Sequence, residues 1–126
     1  VYGKDHADSF LLLESGRADA FVMDATILIG NIVNSKSPAD FRIVGEPLSI
    51  EPIGIMIRKD DPAFKKLGND TLAELVKSGE LAKIYDKWFM HAIPPKNISV
   101  NMPVTAETKA AWANLNDKPA EEYAKK

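Results

Sequence analysis

An α/β architecture is the fold class this sequence predicts, and three observations predict it. Short apolar runs suited to strands alternate with capped amphipathic stretches, in the order α-β-α-β-linker-β-α-α-tail. Hydrophobic residues fill 45% of the 126 positions and charged residues 27%, the balance of a packed soluble domain. The run Ala18 to Met23 carries one charge, Asp19, at its mouth, which suits a strand buried on both faces of a parallel sheet.

Val1 to Lys4 reads as the end of a strand. Asp8 or Ser9 offers an N-cap for a helix of about two turns through Phe10, Leu11, Leu12 and Leu13. His6 falls in the loop before that cap. Glu14-Ser15-Gly16 closes the helix, because Gly16 can take the left-handed conformation of a helix end. The strand that follows delivers Asp24 just past its carboxyl end, where open α/β sheets place ligand-contacting groups. The competing reading of Asp24 is a cap for the next helix, which begins near Thr26. Leu28, Ile29, Ile32 and Val33 form its apolar stripe, and Asn34, Ser35, Ser37 and Pro38 end it.

Phe41 to Val44 predicts another strand, and Gly45, Pro47 and Pro52 punctuate an extended segment after it. Gly54 to Arg58 predicts a further strand. Asp61 as N-cap with Pro62 at the first helical position starts a helix carrying Phe64, Leu67, Leu72, Leu75 and Val76, which Ser78-Gly79 stops. Leu81, Ile84, Tyr85, Trp88 and Phe89 fall on one face of the next helix. Ile93-Pro94-Pro95-Lys96-Asn97-Ile98 is non-helical, because each proline removes a donor and restricts its predecessor. Thr105 caps a last helix reaching about Leu115, with Trp112 as its docking residue. Asp117 to Lys126 is polar and is expected to fray. The segment Glu46 to Pro52 reads as a junction between two bodies. Each would hold roughly 50 to 75 residues, near the lower limit for an independent core, so the chain is expected to be less than a whole folding unit.

Composition excludes several function classes. A net charge of −2 with interleaved signs argues against nucleic acid as the main partner. Without cysteine there is neither a disulfide scaffold nor a thiolate metal site. No apolar run approaches the roughly 20 residues that cross a bilayer. No signal-peptide pattern opens the chain, which a mature or shortened secreted protein would also lack.

His6 and Asp24 are the candidate ligand-binding pair. Each precedes a helix, a histidine can donate to a ligand carboxylate, and an aspartate can accept from an ammonium group. An amino acid carries both. The plainer reading of His6 is a surface loop residue. Asp5, Asp8 and Asp24 around His6 match no strong metal-ligand spacing, so no metal or cofactor is expected. Ser9, His6 and Asp8 lie too close along the chain for a catalytic triad, and no nucleophile elbow or glycine-rich phosphate loop is present. His91 reads as a surface residue. Trp88, Phe89 and Trp112 read as packing aromatics rather than a sugar platform.

Several stretches, in order, carry a resemblance. They are Lys4-Asp5-His6-Ala7-Asp8-Ser9-Phe10, Leu13-Glu14-Ser15-Gly16-Arg17-Ala18-Asp19-Ala20-Phe21-Val22-Met23-Asp24, Arg58-Lys59-Asp60-Asp61-Pro62-Ala63-Phe64-Lys65-Lys66-Leu67, Ser78-Gly79-Glu80, Asp86-Lys87-Trp88-Phe89 and Ile93-Pro94-Pro95-Lys96-Asn97. Together they resemble the periplasmic amino-acid-binding proteins of ABC importers, and most closely the glutamate/aspartate-binding members. The Gly-Arg-Ala-Asp-Ala strand is common to many amino-acid binders, whereas Lys-Asp-His and Ile-Pro-Pro-Lys-Asn point to the dicarboxylic subgroup.

The resemblance implies a partial periplasmic-binding-protein type II fold, with pieces of two doubly wound lobes joined by a hinge strand. Residues 1–49 would be the C-terminal part of the ligand-contacting lobe. Residues 50–126 would be the returning hinge strand and the C-terminal part of the other lobe with its helical tail. Ser49, Ile50 and Glu51 would lie in the hinge. Asp24 would hold the ligand ammonium, and His6 would line the pocket for the acidic side chain. The family is about twice as long, and the match is to its C-terminal half. Position 25 is Ala, where close relatives often carry a second acidic residue. The arginines and hydroxyls that hold ligand carboxylates would fall in the other half, and Arg17, Arg42 and Arg58 do not stand where they could replace them.

The implied function is a truncated or partial solute-binding protein, periplasmic, capturing L-glutamate or L-aspartate for an inner-membrane ABC permease without chemistry. Two alternatives are an enzyme on the same fold, such as a dehydratase-like relative with His6 as its acid or base, and a ligand-sensing module of a receptor. Exposed half-lobe surfaces would favour a homodimer, by exchange of elements.

Overall fold

A computed structural model describes residues 1–123, and the last three positions of the expected fraying tail lie outside the described residues. Five α-helices carry the regular structure: α1 (His6–Glu14), α2 (Ala25–Asn34), α3 (Pro62–Lys77), α4 (Glu80–Phe89) and α5 (Ala106–Ala113). Short 3-10 turns stand at Pro38–Asp40 and Ala120–Glu122. Among the described residues there is no strand, only an isolated antiparallel bridge between Ile93 and Ile98.

The helices begin and end where side chains satisfy their free backbone groups. Asp61 accepts from the Phe64 amide at 2.9 Å, and Pro62 opens α3 where no donor is needed. Gly79, at φ +76°, separates α3 from α4, while the Ser78 amide donates to the Glu74 carbonyl at 2.8 Å. Thr105 accepts from the Thr108 amide at 3.1 Å and starts α5. Gly16, at φ +70°, closes α1 as expected.

The start of α1 corrects the sequence expectation. Asp5, not Asp8 or Ser9, is the cap, and its carboxylate accepts from the Asp8 amide at 2.8 Å. Asp8 lies inside the first turn and reaches back to accept from the Lys4 amide at 3.0 Å. The two acids thereby satisfy one backbone donor each, much as in a capping box. His6 is therefore the first helical residue rather than part of a loop. Gly3 is packed against this turn, and a Cβ there would lie 2.5 Å from the Ser9 amide nitrogen.

The expected strands at 18–23, 41–44 and 54–58 do not form. A helix satisfies its backbone within one segment, whereas a strand needs a neighbouring strand, and none of these segments forms a ladder with another described segment; the Ala18 amide goes instead to the Leu12 carbonyl at 3.2 Å and the Phe41 amide to the Pro38 carbonyl at 3.3 Å. The packed core expected from composition shrinks accordingly. Phe10, 6% exposed, is the one buried side chain among the described residues.

The chain divides into two units. The first joins Val1–Gly45 with Phe89–Met102. In it Phe10 packs on Phe21 and Phe41, with ring centroids at 6.4 and 5.1 Å. The turn around the prolines is tied on by Lys96, whose ammonium donates to the Asn34 side-chain oxygen at 2.8 Å, and by the Met102 amide, which donates to the Phe89 carbonyl at 3.1 Å. As expected, 93–98 is not helical. Its Ile93 amide bonds the Ile98 carbonyl at 3.2 Å, and Asn97 takes a left-handed φ of 57°.

The second unit joins Glu46–Trp88 with the chain from Pro103 on. Trp112 docks α5 by an edge-on contact with Tyr85 at 5.8 Å, as its position predicted. Trp88 does not pack in a core. It is exposed, with the Lys87 ammonium 5.2 Å from its ring centre. The tail does not simply fray as far as it is described. Asp117 pairs with Lys65 at 2.8 Å, and the Tyr123 hydroxyl donates to the Asn116 side-chain oxygen at 2.6 Å.

Candidate functional site

Asp24 stands immediately before α2, in the N-cap position, with φ −54° and ψ 138°. Its side chain makes no capping hydrogen bond. The capping reading is thus unsupported, and an exposed carboxylate is left at the head of a ten-residue helix. A carboxylate in that state is an acceptor-only group with room for an ammonium donor. His6 is exposed at the first position of α1. Among the described residues no hydrogen bond or ion pair joins His6 to Asp24, and no cluster of three or more histidines and carboxylates is placed to hold a metal ion. The other acids near His6 are already engaged, Asp5 by the Asp8 amide and Asp8 by the Lys4 amide.

The feature sequence reasoning missed is a groove in the first unit. It has a volume of about 460 Å³ and is lined by Phe10 and Leu13 of α1, Leu28 and Ile32 of α2, and the coil segments 19–22 and 40–44. Its polar lining comes from Asp19, Asp40 and Arg42. These segments overlap the runs 18–23 and 41–44, whose composition predicts strands. Ser49, Ile50 and Glu51, for which the resemblance implies a hinge, lie in a segment without regular structure, where the Ser49 hydroxyl donates to the Glu51 carboxylate at 3.3 Å.

Charge elsewhere is solvated. The Asp117 carboxyl is held below its ordinary range by the hydrogen bond from Lys65 and by the charge of that ammonium, and Lys65 is raised by the same contact. Burial raises Tyr85. These groups belong to the second unit and none lines the groove. No helix among the described residues is long and apolar enough to cross a membrane.

Residues 4–91 match the bacterial extracellular solute-binding proteins, family 3. The chain belongs to that family. Its similarity to named members is high. It is 51% identical over 118 residues to the glutamate/aspartate import solute-binding protein of Escherichia coli, covering 94% of this chain and 39% of that one. It is 46% identical over 122 residues to the L-glutamate/L-aspartate-binding protein of Pseudomonas aeruginosa, covering 97% and 40%. It is 33% identical over 85 residues to the ABC transporter glutamine-binding protein GlnH of Bacillus subtilis, covering 68% and 30%. The chain therefore spans about two fifths of the length of the first two relatives. Membership implies the type II periplasmic-binding fold for the family, of which this chain shows a helix-rich part.

Proposed function

We propose that this chain is part of a periplasmic solute-binding protein that captures acidic amino acids for an ABC importer. The observation that carries the reading is near-half identity, across almost the whole chain, to two proteins named for glutamate and aspartate. Relatives named as solute-binding proteins favour capture and release over the enzyme alternative, and no observation favours a receptor module. Asp24 is the ammonium acceptor. Its carboxylate is free of any capping duty and stands at an exposed helix head. His6 supplies a donor for the ligand's acidic side chain. Residues 1–49 belong to the ligand-contacting lobe and 50–126 to the other, with Ser49, Ile50 and Glu51 in the hinge that lets one lobe close on the other.

One carboxylate and one histidine grip an ammonium and one carboxylate at best. They leave the second ligand carboxylate in water, and the cost of immobilising a ligand is several kcal/mol. Titration calorimetry of the chain with L-glutamate, L-aspartate and L-glutamine should therefore show no heat at micromolar ligand. Micromolar binding by a monomer would overturn this half-pocket reading, and binding that survives Asp24→Asn would overturn the role given to Asp24. The homodimer expected from the exposed faces finds no support in the structure or in the relatives.

A further inference from the structure

A second cavity of the first unit lies at the C-terminal end of α1. Its volume is about 390 Å³, within the range of small-molecule sites. Leu11 and Glu14 line it from α1, and Lys36, Ser37, Asp40 and Phe41 line it from the turn that follows α2. Its charges set it apart. Lys36 shares the cavity with Glu14 and Asp40, yet among the described residues no hydrogen bond or ion pair engages any of these three side chains. Elsewhere opposite charges have closed on each other, as Lys65 has on Asp117 and Lys83 on Glu80. An acid and a base that face one cavity without pairing stand far enough apart for a third body to join them.

The two ends of that body differ in sign. Glu14 is the last residue of α1, whose final turn holds no basic side chain. The free carbonyls of the helix end add negative potential to its carboxylate, so this end favours a cation. Lys36 offers a point charge for an anion. The remaining lining includes apolar surface open to solvent, since Leu11 is 55% exposed and Phe41 is half-buried. The Ser37 hydroxyl makes no capping bond and adds a neutral polar group.

We propose that this cavity binds a zwitterion with an apolar body, its ammonium on Glu14 and Asp40 and its carboxylate on Lys36. A free aliphatic amino acid and a short aliphatic peptide share that chemistry. Neither His6 nor Asp24 lines the cavity, so the site is distinct from the one proposed for acidic amino acids and does not rest on that reading. A second carboxylate on the ligand is disfavoured here, because Glu14 and Asp40 repel it.

The test follows amide resonances of the full chain, labelled with nitrogen-15, during titration with four probes. L-leucine and leucylleucine carry both charges, isopentylamine lacks the carboxylate, and 4-methylpentanoate lacks the ammonium. Saturable shifts are expected at 11–15 and 36–41, with one zwitterion binding at least about tenfold more tightly than either singly charged probe. The tighter of the two zwitterions tells amino acid from peptide. Lys36→Gln should remove the advantage over the amine, and Lys36→Arg should keep it. Glu14→Gln combined with Asp40→Asn should remove the advantage over the carboxylate. These side chains are exposed, so the variants should retain the amide spectrum of the folded chain. Lys77→Gln, exposed on α3, should change nothing. The inference is overturned if no saturable shift appears at 11–15 and 36–41, if a singly charged probe binds as tightly as the zwitterions, or if the advantages survive removal of the charges. L-glutamate separates the two readings. Glutamate shifts around 6 and 24 with no leucine shift at 11–15 and 36–41 keep the proposed function and remove this site, and the reverse pattern keeps this site and removes the roles given to His6 and Asp24.

Discussion

The stretch from α3 to α5 and the stretch from 18 to 58 contain similar shares of apolar residues, yet one is organised into helices and the other is mostly coil. The difference lies in where each secondary structure finds its hydrogen-bond partners. Helices α3, α4 and α5 satisfy their backbones within a turn and need only caps at their ends, which Asp61, Gly79 and Thr105 provide. A strand's partners lie in another segment, and 18–23, 41–44 and 54–58 have none among the described residues. Ile53 and Met56 are almost wholly exposed for the same reason. Local structure has survived here and non-local structure has not.

Breaking the first unit should have the largest effect. Phe10 is its one buried side chain and packs on both Phe21 and Phe41, so Phe10→Ala removes the ring that both segments rest on. A loss of about 3 kcal/mol or more is expected. Against a marginal total stability, that should release protection at 6–45 in amide exchange and leave α3 to α5 protected. Equal loss in both units would mean that the contrast is not one of local against non-local support.

A smaller effect compares two aspartates in the same formal position. Asp61→Ala should cost about 1 kcal/mol and shorten α3, because its carboxylate caps the Phe64 amide. Asp24→Ala should leave helicity unchanged, because its carboxylate caps nothing. Thermal melts of the two variants decide it, and an equal drop would show that Asp24 serves the fold.

The smallest effect lies at Lys65 and Asp117, which are both exposed. Asp117 has a lowered folded-state pKa, so its contribution is present above the unfolded value and fades as pH falls through the lowered one. Lys65 is raised, so its share fades only as pH rises through that higher value. A carbon-detected titration should place the Asp117 midpoint below the ordinary aspartate range, and Lys65→Gln should return it there.

Helix termini were legible because their signals are short. Asp61-Pro62, Ser78-Gly79 and Thr105 each state a boundary within two residues, and Trp112 announced a docking contact that Tyr85 completes. The start of α1 was misplaced because two acids three apart both suit a cap, and only the backbone donors they reach, those of Asp8 and Lys4, distinguish them. Strand-forming runs were legible as composition but not as structure, since pairing depends on residues elsewhere. For the site, the sequence located Asp24 beyond an apolar run, and the structure adds that its carboxylate is uncommitted. The groove could not be foreseen, because treating 18–23 and 41–44 as members of one sheet hides the space between them.

The order in which the chain visits its two units has a topological consequence. It leaves the first after Gly45, returns at Phe89 and leaves again after Met102. A protease cutting in the irregular, exposed segment 46–60 would open the covalent path yet free neither unit. The downstream piece would still hold the Phe89–Met102 strap, with Lys96 gripping Asn34 on the upstream piece. The molecule is stitched rather than merely linked, so a single nick leaves two fragments that must still peel apart.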